Sequence, residues 1–283
     1  SLRNSLLVLL VLLGLTLLAE SCQRYNSDTA SHSASEAQYL SIVDTLGYQR
    51  VDVLSPWQPG QLLSRIYLVR NDSVSTPLDA PRVRVPIERL AATSATQVGF
   101  LHAILADSCI CALATPHLIY NAPAREVVDL GEDFNLNVEK LLLSAPQLVL
   151  MTSYGESLTN VDRIRQAGVP VLEIVEWMEQ APLSRAAWIR LYGALMGQLP
   201  LADSILTQVT NDYLYTQQSC SMTTVSVAMG ESYRGTWYVP SGATYMGHFL
   251  SDAGAQYAFA DRQTVGSIPL TLEQAITTFS EAD

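Results

Sequence analysis

The chain has 283 residues, 48% of them hydrophobic, which is enough for two modest cores once the ends are set aside. Its 16 basic residues face 27 acidic ones, for a formal net charge of −11. That balance runs against any role built on neutralising phosphates, so nucleic acid is not an expected partner.

Arg3 is followed by a nearly pure aliphatic run, Leu6 to Leu18, which reads as the apolar stretch of a signal peptide. A bilayer-spanning helix needs about 20 apolar residues, and Glu20 interrupts this run too early. Ala19-Glu20-Ser21-Cys22 resembles a bacterial lipobox, with Glu20 in place of the usual small residue. Cys22 is therefore the expected lipid-attachment site, and residues 1–22 the leader. Residues 23–47 begin Ser/Asn/Asp/Thr-rich and are expected to form a flexible tether. Apart from Cys22, the cysteines are Cys109, Cys111 and Cys220, an odd number that encodes no disulfide framework. Cys109 and Cys111 read as small buried hydrophobes on one face of a strand.

Tyr48 to Leu54 and Ser64 to Val69 read as strands of a hairpin around the turn Pro56-Trp57-Gln58-Pro59-Gly60. Short strands are expected at Val83 to Val85 and Leu90 to Thr93. From there strand and helix alternate: helix Ser94–Leu105, capped by Thr93 or Ser94; strand Cys109–Ala114; helix Asn137–Leu143; strand Leu148–Met151; helix Val161–Ala167, ended by Gly168; strand Val169–Val175. Such alternation predicts a parallel sheet covered on both faces. Leu183 to Met196 is amphipathic over its whole length. Pro200 then opens a helix reaching Gln217, roughly 27 Å long at 1.5 Å per residue. A strand at Thr223 to Met229 starts a second α/β unit. The domains expected are thus 48–199 (hairpin and N-lobe), 200–217 (linker helix) and 218–283 (a partial, truncated C-lobe).

Val128-Asp129-Leu130-Gly131-Glu132-Asp133, Asn137-Val138-Glu139-Lys140-Leu141-Leu142, Ala145-Pro146-Gln147-Leu148-Val149-Leu150 and Gly168-Val169-Pro170-Val171 occur in an order that resembles the iron-chelate and cobalamin type of periplasmic binding proteins. Ser184-Arg185-Ala186-Ala187-Trp188-Ile189-Arg190-Leu191-Tyr192-Gly193, Trp237-Tyr238-Val239-Pro240-Ser241-Gly242 and Asp252-Ala253-Gly254 are similar to the Bacteroidales lipoprotein branch of that family, with Ser241 replacing an expected glycine. The resemblance covers residues 48–283. It implies two Rossmann-like α/β lobes joined by a single long helix. It also implies capture of a metal chelate or macrocycle (an iron siderophore, haem or a corrinoid) for delivery to an ABC permease, from an envelope position facing the periplasm.

Ligands of open α/β sheets sit beyond the carboxyl ends of the strands. Here those ends are Thr93 and Ser94, the stretch from His117 to Tyr120, Ser153 and Tyr154, and Glu176 to Met178 with Trp177 at its centre. Trp237, Tyr238 and Tyr245 are expected from the C-lobe. Aromatic rings offer stacking area with polar tips, suited to a chelate with apolar faces. His117 is a candidate axial ligand for a haem or corrinoid metal, against the plainer reading of a solvated histidine. In the resembled family an acidic residue on each lobe docks the permease, and Glu126 lies in that neighbourhood.

No Gly-x-Ser-x-Gly elbow, phosphate loop, Gly-x-Gly-x-x-Gly or His-Glu-x-x-His occurs, and His32, His102, His117 and His248 are scattered. The expectation is a binding protein without a cofactor of its own. Two alternatives stay open: a chelatase-like haem-processing enzyme on the same fold, and a surface lipoprotein serving an outer-membrane receptor.

Overall fold

A computed structural model describes residues 36–119, 126–155, 159–220, 225–264, 266–280 and 282. The leader run, Cys22 and Tyr120 lie outside the described residues. Strands β1 (Leu40–Asp44), β2 (Tyr48–Leu54), β3 (Leu62–Val69) and β4 (Arg82–Arg84) form one sheet in that order, antiparallel except for β4, which runs parallel to β3. The expected hairpin is β2–β3. The expected tether is corrected at its end, because Leu40, Ile42 and their neighbours pair with β2 from Leu40↔Val53 to Asp44↔Gln49. Leu40, Ser41, Ile42 and Val43 alternate apolar and polar only briefly, and in this edge strand the first three are only partly buried and Val43 is exposed, so the serine-rich context hid them.

The N-lobe sheet contains β5 (Leu90–Ala92), β6 (Ile110–Leu113), β7 (Val128–Asp129), β8 (Leu148–Thr152) and β9 (Val171–Ile174). They are ordered β7-β6-β5-β8-β9 and all pairs are parallel. Its helices are α1 (Ala95–Ala103), α2 (Val138–Leu143) and α3 (Thr159–Gln166). Side chains of β5, β8 and β9 alternate between faces, and β6 breaks the pattern where its register against β5 shifts, with Cys111 and Ala112 on one side. Leu90, Ala92, Leu148, Leu150, Leu172 and Ile174 join a cluster with Val51, Ile66 and Leu101, whereas Ala91, Val149, Met151 and Val171 meet Leu141, Val161 and Ile164 on the other side. A sheet buried on both faces explains why its strands read as unbroken apolar runs. Cys109 and Cys111 are buried as expected but do not share a face: Cys109 precedes β6 in a 3-10 turn and joins the first cluster, Cys111 the second. Neither forms a disulfide.

The expected single helix over 183–196 is two, α4 (Pro182–Ala186) and α5 (Ile189–Leu195). The junction tightens through Trp188 N–H to Arg185 O and Arg190 N–H to Ala187 O. This turn sends the fully buried Trp188 indole onto the carboxylate of Glu179, 3.0 Å away. Helix α6 (Leu199–Ser219) then runs 21 residues, roughly 30 Å. Its first half belongs to the N-lobe: Ala202 and Leu206 lie in the core, and Gly193 lets α5 approach so closely that a Cβ there would sit 2.5 Å from Ala202 Cβ. Its second half holds the C-lobe, where Tyr213 and Gln217 donate to Asp252 at 2.6 and 2.8 Å.

In the C-lobe, β10 (Glu231–Tyr233), β11 (Thr236–Pro240) and β12 (Ser267–Leu270) form an antiparallel sheet, accompanied by α7 (Tyr245–Asp252) and α8 (Leu272–Thr278). The strand expected at 223–229 makes no ladder among the described residues. Val225 to Val227 instead runs extended beside Gln256, with one isolated bridge at Ser226. Ser241 is fully buried, and its hydroxyl lies 2.8 and 2.7 Å from the carbonyls of Arg262 and Thr264. The departure from glycine thus ties the 262–264 loop to the end of β11. Among the described residues, no helix is long and apolar enough to cross a membrane.

Candidate functional site

The connections from β5 run toward β6 and those from β8 toward β9, so the sheet has its topological switch point between β5 and β8. Buried polar groups fill that point. Thr93 Oγ1 accepts from the Thr152 N–H at 3.0 Å, and Gln97 accepts the Thr93 N–H at 2.9 Å and donates to Thr152 Oγ1 at 3.3 Å. Thr93, expected to face ligand, is therefore a 2% exposed structural pin. Ser94 is spent as the N-cap of α1, accepting from Gln97 N–H. Ser153 is also buried, its hydroxyl donating to Glu173, which pairs with Arg165.

Just beyond these groups the strand ends present a row of rings. The residues after β7 make a 3-10 turn, Asp133–Asn135, that projects Phe134; Tyr154 follows β8; and Trp177 sits in the 3-10 turn Glu176–Met178 after β9. Phe134 and Tyr154 stack at 5.0 Å, and Tyr154 and Trp177 tilt together at 5.7 Å. Hydrogen bonds fix two of the three rings: Tyr154 donates to Asp133 Oδ2 at 3.0 Å, and the Trp177 indole N–H donates to Ser153 O at 3.1 Å. All three remain open to solvent, Phe134 at 77%, Tyr154 at 39% and Trp177 at 38%. Large rings locked in place yet exposed present stacking area without paying to order it on binding.

Carboxyls underlie this row. Burial holds the Asp133 carboxyl above its ordinary range, although hydrogen bonds from Tyr154 and Thr93 pull the other way. Burial, then the adjacent Asp133, pushes the Tyr154 phenol up. Glu176 is 2% exposed, one of its oxygens has no hydrogen-bond partner, and burial raises it against the pull of Arg185. Beneath it, Tyr192 is fully buried with an unpartnered hydroxyl and is pushed well up by burial and by Glu176.

The C-lobe candidates divide. Tyr245 reaches the N-lobe, with the Arg185 guanidinium 4.7 Å over its ring and Phe249 against its edge. Trp237 shares a face of β11 with the buried Val239, and its indole edge lies so close to Gly230 that a Cβ there would not fit. Tyr238 points to the opposite face, between Glu231 and Pro269 in register. His117 is exposed in a 3-10 turn after β6, and no group of three metal-ligating side chains occurs among the described residues. Glu126 is exposed just before β7. Reasoning from the sequence passed over Phe134, the Asp133 anchor and Arg185; the Asp-Phe pair in the short loop after β7 was the signal that marked the first two.

Residues 90–282 match the family model described as periplasmic binding protein, more than half of the chain. The chain belongs to the periplasmic binding protein family. Members of this family bind solutes and do not transform them. Among solved structures, the periplasmic haem-binding protein of Vibrio cholerae aligns with a TM-score of 0.57 at 15% identity, covering 68% of this chain and 73% of that one. The periplasmic vitamin B12-binding protein of Vibrio cholerae aligns at 0.53 and 16% identity, covering 68% and 74%. At such identities the likeness is one of fold, and it agrees with two α/β lobes on one long helix. An uncharacterised lipoprotein of Methanocaldococcus jannaschii is 20% identical over 216 residues, 71% of this chain and 52% of that protein. The chain thus spans about half the length of this curated relative.

Proposed function

We propose that this periplasmic binding protein is the solute-binding lipoprotein of an ABC importer. It reversibly captures an iron siderophore, haem or a cobalamin-like corrinoid and hands it to a permease. The observation that carries the reading is the exposed Phe134–Tyr154–Trp177 row at the switch point of a parallel sheet, with Tyr154 and Trp177 hydrogen-bonded into place and Phe134 stacked on Tyr154. A flat or lobed chelate lays its apolar face on such rings, and the Tyr154–Asp133 pair adds a polar tip for its rim. The two Vibrio cholerae neighbours, one haem-binding and one B12-binding, favour the same class.

The remaining assignments follow from this role. Cys22 carries the lipid that keeps the protein at the envelope, facing the periplasm, and a lipoprotein among its relatives accords with that. Glu126 offers an exposed carboxylate for docking the permease. Tyr245 closes the C-lobe side of the cleft beside Arg185. Calorimetric titration with haemin, cyanocobalamin and a ferric trihydroxamate tests the reading. One of these should bind at micromolar affinity or better and be recovered chemically intact. Binding of none, or release of iron from haemin, would overturn it.

A further inference from the structure

The row of rings has a neighbour from outside the matched region 90–282. Between β2 and β3 the chain makes a tight, internally bonded turn: Ser55 N–H donates to Gln61 O at 2.8 Å, Gln58 N–H to the Ser55 hydroxyl at 3.1 Å, and Gln61 N–H to Gln58 O at 3.0 Å. Trp57 is carried at its tip. Its indole packs against Gly155, the residue after Tyr154: a Cβ on Gly155 would meet Trp57 Cε2, Cδ2 and Nε1 at 2.7, 2.8 and 3.0 Å. Gly155 also has φ +85°, so both the backbone and the indole require glycine there. Trp57 nevertheless stays 36% exposed.

We infer that Trp57 is a ligand-contacting, specificity-determining residue, through which the N-terminal sheet extends the aromatic floor of the cleft toward ligands with a broad flat face. The inference rests on the proposed capture of a chelate or macrocycle. A tryptophan serving only as packing would be buried. Here the indole rests against Gly155 yet stays 36% exposed, in a turn closed by three hydrogen bonds. A compact chelate is satisfied by Phe134, Tyr154 and Trp177, whereas a wide macrocycle reaches past Tyr154 onto the indole. Stacking on one added ring is worth about 0.5–1.5 kcal/mol beyond area burial, so its loss should weaken a broad ligand by about threefold to tenfold.

The test compares the full chain with Trp57→Ala, Trp57→Phe and Gly155→Ala, the last displacing the indole without removing it. Each is titrated with haemin, cyanocobalamin and a ferric trihydroxamate, and its thermal midpoint is recorded. Trp57→Ala and Gly155→Ala should weaken the bound macrocycle by about threefold to tenfold. Trp57→Phe should fall between, and the ratio of macrocycle to trihydroxamate affinity should drop in the same order. If the wild type binds while the variants match it, or if they weaken every ligand in proportion to a lost thermal midpoint, this inference is overturned and the capture function stands. If the wild type binds none of the three, the capture function is overturned and this inference with it.

Discussion

In the N-lobe, a five-stranded parallel sheet buries aliphatic side chains on both faces and folds Trp188, Tyr192 and Leu206 into the same core. The described residues of the C-lobe contribute Val239, Tyr257 and Ala275 to the buried hydrophobics and add ring contacts among Tyr257, Phe259 and Phe279 to a few directed polar contacts: Asp252 to α6, Ser241 to the 262–264 loop, and Arg185 over Tyr245. The comparison teaches how the labour is divided. The side that carries the exposed rings is rigid because it is packed, and the facing side is positioned by a few bonds to a stiff helix.

Substitutions should expose that difference, most strongly in the N-lobe core. Trp188→Ala removes a fully buried indole and leaves the Glu179 carboxylate its backbone donor at Tyr39 but no side-chain donor, so urea denaturation should show a loss of about 3–5 kcal/mol in one global transition. Asp252→Ala should cost less, about 1–3 kcal/mol, because it leaves the Tyr213 and Gln217 donors without their shared acceptor. Hydrogen exchange should then accelerate across residues 225–280 while β5 and β8 keep their protection. Equal acceleration in both lobes would show that they are one cooperative unit.

Glu176 gives the comparison a pH dependence. Its folded-state value is raised by burial, so between the ordinary carboxylate range and that raised value the folded protein holds the extra proton. Its contribution to stability is therefore complete below about pH 4.3 and is lost as pH rises through the raised value. Glu176→Gln should flatten the rise of the thermal midpoint on acidification through the raised value. The smallest effect is expected at Arg185→Gln, about 0.5–1 kcal/mol from the lost contact with Tyr245, seen as faster exchange in α7 alone.

The parallel sheet was legible in the sequence because burial on both faces leaves continuous apolar runs such as Leu148–Met151, and helix ends were marked by Asn137, Gly168 and Pro200. Tyr154 and Trp177 were legible for a related reason, since strand ends fix where loops converge. Three features were not. The break at Ala187–Trp188 keeps helical periodicity on both sides and coincides with the Trp188–Glu179 bond, a tertiary contact that the local sequence does not announce. Thr93 and Ser153 are polar residues at strand ends, but whether such a residue faces a ligand or pins the sheet depends on partners, Thr152 and Glu173, distant in sequence. Trp57 sits in a proline-rich turn whose composition explains itself locally, and only the fold brings it to Gly155.

The central claim is that the ligand lies on the N-lobe ring row, and the four tryptophans offer a direct reading of it. With 5-fluorotryptophan incorporated and each fluorine resonance assigned by single substitution, titration with the bound chelate should shift Trp177 and, for a broad macrocycle, Trp57. Trp188, buried in the core, should stay unmoved. Saturable binding that leaves Trp177 unshifted would place the ligand elsewhere and contradict the account.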